Sequence, residues 1–481
     1  MQMPGNAGPF HVIGIGGIGM SAIAEILLEL GYSVQGSDSK DSANVRRVRA
    51  RGVRVFVGHA PINLIGAQYV VISSAIKPDN PELVEARKRR LPVIKRADML
   101  AELMRLRSTV SVTGTHGKTT TTSLIAHIFD TAGVDPTVIT GGIVNSWGTN
   151  ARLGKGEWMV VEADESDATF IRLPTQIGVV TNIDPEHLDF FGTVEKMEAA
   201  YRVFYCSIPF YGVAVTCIDH PVVRRMLAEC AHDMSCKVLT YGFSEDADLK
   251  LRNPRSDSSG TVFDIEVGQR VKGGKRTIGD VLMPVPGEHN ALNAAAAFAA
   301  CAEAGIEDDA TRAAIASFSG VKRRFSLAGE WNGVTFYDDY AHHPVEVAAV
   351  LKAARRTTKG RVIGIFQPHR YSRVGSLFEE FTHSFKDADT VIVTPIYSAG
   401  EKPVAGVDHM AVAAGIRAAG HADVHAVEHE DELAPLIRAT VQPGDLVIAL
   451  GAGTVTEWVH ALPAQLSGAI TPLLKVAGGA H

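Results

Sequence analysis

An excess of basic charge is the first thing this chain lacks. Its 481 residues carry 47 Lys and Arg against 53 Asp and Glu, a formal net charge of −6. Broad binding to nucleic acid or to an anionic membrane needs a basic surface, so neither is expected as a partner. Apolar runs of about 18 residues, long enough to cross a bilayer, are also missing. Met1 to Phe10 has neither a basic start nor an apolar core, so no secretory signal peptide is predicted. Cysteine is scarce: Cys206, Cys217, Cys230, Cys236 and Cys301 form no Cys-x-x-Cys pair. An odd, scattered set predicts reduced thiols in a cytoplasmic protein, each a small buried core residue.

What remains is an ordinary globular composition, 46% hydrophobic and 21% charged. The length suggests about three domains. Strand and helix signals alternate through the first hundred residues. Strands are predicted at Phe10 to Ile13, Ser33 to Gly36, Tyr69 to Ser73 and Leu91 to Ile94, with helices at Gly19 to Leu30 and Asp98 to Arg107. A second alternating unit starts with Thr109 to Val112, and a third near Ser326, with strands at Val334 to Tyr337, Arg361 to Phe366, Thr390 to Val393 and Asp445 to Leu450. Alternation predicts parallel sheets covered by helices, an α/β fold class. Asp248 to Met283 reads as a small antiparallel insert, Asn290 to Glu303 as an alanine-rich helix, and Leu466 to His481 as a loosely ordered tail.

The second unit opens on Thr113-Gly114-Thr115-His116-Gly117-Lys118-Thr119-Thr120, between a strand and a helix. A glycine turn there presents free backbone N–H groups at a helix N-terminus, a ready phosphate site. Lys118 is placed for the outer phosphates of a nucleoside triphosphate and the Thr119 hydroxyl for magnesium. Val112 stands where the usual loop has its first glycine, so the loop is a shortened variant. Near the N-terminus, Gly14-Ile15-Gly16-Gly17-Ile18-Gly19 follows a strand, and Asp38 lies 19 residues beyond Gly19. That turn accepts a diphosphate, and it suits a nicotinamide dinucleotide or a nucleotide-sugar equally.

Polar clusters follow other strands. Glu162-Ala163-Asp164-Glu165-Ser166-Asp167 concentrates four acids that either a cation or the solvent must compensate, with Glu162 still attached to the apolar strand. His187 and Asp189 follow the next strand. Arg324 closes the second unit, and Tyr340, His342, His369, Arg370 and Arg373 follow strands of the third. Two arginines three apart suit a carboxylate held bidentately. Three readings stand at this point: an enzyme that uses a nucleoside triphosphate, a nicotinamide-dependent dehydrogenase, and a nucleotide-regulated binding protein without turnover.

These motifs, with Gly287-Glu288-His289-Asn290-Ala291-Leu292-Asn293 and Arg323-Arg324-Phe325, stand in one order over about residues 10 to 400. In that order they resemble the Mur ligases of peptidoglycan synthesis, and the glycine turn followed by Met20-Ser21 resembles the alanine-adding members. The resemblance implies three domains: a Rossmann-like UDP-sugar domain over 1–107, a central P-loop ATPase-like α/β domain over 108–325, and a Rossmann-like amino-acid domain over 326–481. It implies ATP, UDP-N-acetylmuramate and L-alanine as substrates, with magnesium, or manganese in its place. Gly114, Thr115, His116, Gly117, Lys118, Thr119 and Thr120 would hold the triphosphate, and Asn290 and Asn293 the adenine. Thr119, Glu162 and His187 would bind metal, and Arg324 and His342 would touch phosphate. Gly16, Gly17, Ile18, Gly19, Ser37, Asp38, His59, Ser73 and Ser74 match the UDP-sugar region, and Tyr340, His369, Arg370 and Arg373 the amino-acid region. Other Mur ligases carry a carbamoylated lysine that the alanine-adding members are not known for, and Lys196 is left unassigned. The resemblance also implies closure of the C-terminal domain on the central one. Identical scattering envelopes with and without an ATP analogue plus sugar nucleotide would count against closure.

Overall fold

A computed structural model describes residues 8–73, 75–166 and 168–468. The chain divides into two compact units. One runs through Pro254 and takes in Val262–Pro284 and Asn290–Val321. The other holds Arg255–Thr261, Val285–His289 and the chain from Lys322 onward.

The first unit carries two sheets. In the N-terminal one, β1 (Phe10–Ile13), β2 (Val34–Asp38), β3 (Arg54–Val57), β4 (Tyr69–Ile72) and β5 (Val93–Lys95) lie in the order 3-2-1-4-5. Every neighbouring pair is parallel. All of β1 is buried, as a strand covered on both faces must be. The order reverses at β1, so a ligand crevice opens at the carboxyl ends of the strands.

The second sheet contains β6 (Ser108–Thr113), β7 (Thr137–Val144), β8 (Thr149–Arg152), β9 (Trp158–Glu162), β10 (Ile177–Val180), β11 (Val213–Cys217), β12 (Lys237–Gly242), β13 (Leu249–Asp257), β14 (Gly260–Val267) and β15 (Arg276–Met283). Their order is 15-14-13-12-11-10-6-9-7-8. β6, which leads into the glycine loop, lies between β10 and β9 and is parallel to both. The segment expected as a small antiparallel insert supplies β13, β14 and β15, which extend this sheet, because β13 pairs parallel with β12 at Tyr241 and Gly242. An edge strand has unpaired N–H and C=O groups, and the next segment of chain satisfies them. β7 and β8 form an antiparallel hairpin that the sequence reading did not foresee.

The second unit's sheet contains β16 (Ser326–Trp331), β17 (Val334–Asp339), β18 (Val362–Phe366), β19 (Thr390–Val393), β20 (Val424–Ala426) and β21 (Leu446–Leu450), in the order 16-17-21-18-19-20. β16 is antiparallel to β17, and the remaining pairs are parallel. Along β18, Val362 and Phe366 join one buried cluster and Ile363 and Ile365 another. The sheet is therefore covered on both faces, the doubly wound arrangement expected.

Two expectations need correction or restriction. Cys217, Cys230 and Cys301 are buried, but Cys206 is exposed and Cys236 half-buried. Cys206 lies on the helix Val194–Ser207, whose buried stripe is Met197, Ala200, Tyr201, Phe204 and Tyr205, and the helical period turns it to solvent. The tail expectation falls mostly on residues 469–481, which lie outside the described residues. Among the described residues, no helix is long and apolar enough to cross a membrane.

Candidate active site

β6 runs into the glycine loop, and the helix Lys118–Thr131 follows. Gly114 has φ 126° and Gly117 φ 81°. A Cβ on Gly114 would stand 2.2 Å from Thr181 Oγ1, and one on Gly117 2.5 Å from Asn293 Oδ1. Only glycine fits either place. Gly117 is the N-cap and has no side chain to offer, so the first N–H groups of the helix face an incoming anion. Thr119 and Thr120 sit buried in that first turn. The loop is braced from the β10 side: Thr115 N–H donates to the Asn182 carbonyl (3.1 Å) and His116 N–H to Asn182 Oδ1 (2.7 Å). His116 Nε2 lies 3.2 Å from Asp184 Oδ2, and His220 Nε2 lies 3.2 Å from Asp184 Oδ1. Burial alone would raise the Asp184 carboxyl, but the two imidazoles outweigh it and hold the group well below the carboxylate range.

Lys118 Nζ donates to the carbonyls of Gly114 (2.6 Å) and Thr115 (3.0 Å) and to Glu165 Oε1 (2.8 Å). Burial pushes the Glu165 carboxyl up to about 7 against the pull of Lys118. Burial also opposes the Lys118 charge, but Glu165, Asp164 and Glu162 together hold its pKa above the ordinary value. Glu162 turns to the hairpin and loop, accepting from Thr119 Oγ1 (2.9 Å), Thr140 Oγ1 (3.0 Å) and Gly141 N–H (2.5 Å). His187, at φ 55°, brings Nε2 to 3.7 Å from Glu165 Oε1. Asp164, Glu165 and His187 each offer one ligand atom, all within 4.8 Å of one another. Glu165 Oε2 is buried and has no hydrogen-bond partner among the described residues. Three acids around one lysine, with an orphaned carboxylate oxygen, fit a hard divalent cation. The residues expected to share a metal divide here: Glu162 stands with Thr119, and His187 with Asp164 and Glu165. Asn293 and Asn290, both buried, pair through Nδ2 and Oδ1 (3.2 Å) beside Gly117. Asp167 lies outside the described residues, as does the side chain of Asp189.

Gly17 is the N-cap of the helix Ile18–Glu29, again without a side-chain cap. Gly16 N–H donates to Asp38 Oδ2 (2.9 Å), and Lys40 N–H meets Asp38 Oδ1 (3.2 Å). The turn itself therefore accounts for the position of Asp38, without the ribose of a dinucleotide. Arg96 Nη1 stands 3.0 Å from where a Cβ on Gly19 would be. A cavity of about 220 Å³ runs from Ile18, Gly19 and Arg96 to Gly141, Glu162 and Asp164. It runs, inside one unit, from the first glycine turn to Glu162, the carboxylate that Thr119 of the second loop bonds. Ser37 and His59 both reach a carboxylate the sequence did not flag, Glu82. Ser73 lies in the turn after β4, its carbonyl accepting from Ile76 N–H, and Ser74 lies outside the described residues.

Glu82 is fully buried. Burial pushes its carboxyl up, but hydrogen bonds from His11, Ser37 and Asn63 outweigh it and lower the group from 4.5 to about 2. A depressed folded pKa contributes stability that is complete above pH 4.5 and is lost as the pH falls towards 2, about 3 kcal/mol in all. Tm measured against pH should fall through that window, and Glu82→Gln should flatten the dependence.

The second unit assembles its own polar cluster. Arg323 and Arg324 lie over the Tyr340 ring, at 4.9 and 5.1 Å from its centroid. The strained linker, with Arg323 at φ 61° and Phe325 at φ 49°, is pinned by Phe325 N–H donating to Asp339 Oδ2 (2.8 Å). Burial raises Asp339 to about 6 despite Arg324. His342 Nδ1 meets the Tyr340 carbonyl (2.9 Å), and its ring lies 5.5 Å from that of His369. His369 stacks on Tyr397 and meets Arg373 Nη1 through Nδ1 (3.1 Å). Burial, then the His342 and Arg373 charges, push His369 down to about 3, so its ring is neutral and Nδ1 accepts. Arg370, at φ 65°, lies 3.7 Å from Glu401.

Family models match the chain in three consecutive stretches: Mur ligase family, catalytic domain over residues 9–108, Mur ligase middle domain over 112–301, and Mur ligase, glutamate ligase domain over 323–453. The chain belongs to the Mur ligase family. The UDP-N-acetylmuramate–L-alanine ligase of Methylorubrum populi is 54% identical, over 97% of this chain and 99% of its own length. The namesake from Bradyrhizobium diazoefficiens is also 54% identical over the same shares. Among solved structures, UDP-N-acetylmuramate-alanine ligase MurC from Thermotoga maritima aligns with a TM-score of 0.78 at 27% identity, covering 96% of this chain and 99% of that one. A murein peptide ligase from Psychrobacter arcticus shares the fold, with a TM-score of 0.69 at 22% identity, covering 96% and 99%.

Within this Mur ligase, Lys196 is exposed on the helix Val194–Ser207. Arg96, Glu82 and Glu401 escaped the sequence reading for a common reason. Arg96 and Glu82 sit at ordinary helix starts and Glu401 in a loop, none of them inside one of the motifs that the sequence marks.

Proposed function

We propose that the chain joins L-alanine to the lactyl carboxylate of UDP-N-acetylmuramate, with ATP cleaved to ADP and phosphate, as a cytoplasmic step of peptidoglycan synthesis. The observation that carries this reading is the cavity between the Gly19 turn and Glu162, whose carboxylate accepts from Thr119 at the end of the second glycine loop. The helix start at Gly117 to Thr120 and Lys118 take the ATP phosphates, and Asn290 and Asn293 take the adenine. The turn from Gly16 to Gly19 takes the sugar diphosphate. The γ-phosphoryl group passes to the lactyl carboxylate, giving ADP and an acyl phosphate. The alanine amine then attacks the acyl carbon, loses its proton, and the tetrahedral species expels phosphate. Lys118 and Arg324 neutralise charge that builds on the transferring group, while the rest is positioning. Magnesium or manganese would supply further charge neutralisation when bound; Thr119 with Glu162, and His187 with Asp164 and Glu165, are the two groups of residues that would hold it. Arg370 and Arg373 take the alanine carboxylate, with Tyr340 and His369 beside them, and His342 touches phosphate.

Phosphate release should require UDP-N-acetylmuramate, L-alanine and ATP together. Release that persists without the amino acid, or a nicotinamide absorbance change without ATP, would overturn the reading. Arg96 lines the sugar side of the cavity, and loss of a charged hydrogen bond costs about 1.5–3 kcal/mol. Arg96→Ala should therefore raise KM for the sugar nucleotide by about 10- to 100-fold and leave KM for ATP unchanged. An unchanged sugar-nucleotide KM would remove Arg96 from the site.

A further inference from the structure

Glu82 lies in the first turn of the helix Pro81–Lys88, where the Asn80 side chain accepts from the N–H groups of Glu82 and Leu83. The helix dipole favours a carboxylate there. Around its two oxygens stand His11 Nε2 (3.4 Å), Asn63 Nδ2 (2.6 Å), the Ala60 N–H (3.3 Å), Ser37 Oγ and His59 Nδ1 (3.2 Å). An ionised carboxylate only accepts, so every neighbour must donate. The Ser37 hydroxyl proton is thereby committed to Glu82. Ser37 Oγ also lies 3.0 Å from His59 Nδ1, and with its proton engaged it can only accept there. Both partners of His59 Nδ1 are acceptors, so Nδ1 carries the proton. A neutral ring then has a bare lone pair on Nε2, which has no partner among the described residues.

His59 sits just beyond the carboxyl end of β3. Gly58 N–H donates to the Asp38 carbonyl (2.7 Å), and the Asp38 side chain holds the Gly16 turn. His59 is therefore placed at the ends of β2 and β3, next to the strand end that carries Asp38 and the diphosphate turn, where the nucleoside half of a nucleotide lies in an open parallel sheet.

We propose that Glu82 is a positioning residue for the sugar nucleotide: through Ser37 and His59 it fixes His59 Nε2 as a hydrogen-bond acceptor for a donor on the uridine, the ring N3–H or a ribose hydroxyl. The inference rests on the sugar-nucleotide reading of the N-terminal domain. A carboxylate that orients an imidazole in this way acts as outer partners do at metal-bound histidines, here with a nucleoside in place of the metal.

The test is calorimetric binding to the full chain of UDP, 3-methyl-UDP, which lacks the ring N–H, and 2′-deoxy-UDP. The wild type should discriminate against one of the two analogues by about tenfold, the worth of one hydrogen bond. His59→Ala should weaken UDP by the same factor and abolish that discrimination, with ATP binding unchanged. Glu82→Gln should do likewise, because its amide places a donor where only acceptance fits, and Glu82→Asp should restore part of the discrimination. Nitrogen shifts of the wild-type His59 ring provide a check that needs no variant, and they should show Nδ1 protonated. A ring protonated on Nε2 alone would overturn the proposal, as would discrimination that survives in Glu82→Gln. A wild-type chain that shows the expected ring but binds no UDP would overturn the sugar-nucleotide reading instead.

Discussion

Lys118→Ala is expected to lower kcat about a thousandfold while UDP binding persists. In the structure the ammonium is drawn inward, bonded to two loop carbonyls and to Glu165. It stands at the start of the helix Lys118–Thr131, beside the N–H groups proposed to receive the triphosphate. In the proposed reaction a fixed charge at that place would act on the phosphoryl group as it leaves ADP, and so it would enter kcat more than substrate binding. Glu165 would lose its cation in this variant, and breaking a buried pair ordinarily costs about 3–5 kcal/mol. Here the cost is smaller, because a carboxyl already raised to about 7 takes up a proton instead. Single-turnover rates with a parallel UDP titration provide the measurement. A normal rate would remove the loop from the phosphoryl-transfer site, and a lost UDP affinity would mean that the variant is misfolded.

Arg373→Ala is expected to raise KM for L-alanine by about 10- to 100-fold, from the loss of one charged hydrogen-bond partner of a carboxylate, with KM for ATP within twofold (roughly, on the same scale). Arg373 is held by His369, whose neutral ring accepts from it. Its neighbour Arg370 is set at the turn by φ 65°, a conformation that persists where surrounding structure over-determines it. Initial rates with alanine and ATP varied separately decide the matter. If ATP dependence alone changed, the cluster of Tyr340, His369, Arg370 and Arg373 would belong to the nucleotide and not to the amino acid.

The sites differ in how far they could be read from sequence. The loop from Gly114 to Thr120 was legible because strand, turn and helix are contiguous, and a phosphate needs only local backbone donors. The acidic run was legible as a group, but the partner of each acid was not. Glu162 turned to Thr119 and the Thr137–Val144 strand, and Glu165 to Lys118 and His187, choices made by side-chain direction at a strand end. The antiparallel hairpin of β7 and β8 was missed because Thr-Asn-Ala-Arg carries no strong strand signal alone and is fixed by pairing with β7.

By itself, the sequence determined the alternation of strand and helix, the parallel sheets, both glycine turns and the order of motifs that marks the family. Each depends on residues within a few positions of one another, where periodicity and turn chemistry act directly. Tertiary structure alone decided the strand orders, the cavity beneath Arg96 and the burial of Glu82. His11 and Glu82 are 71 residues apart in the chain. No local pattern distinguishes a glutamate on a solvated helix from one that five donors hold inside the sheet's carboxyl end, because that difference lies in what the rest of the fold brings to it.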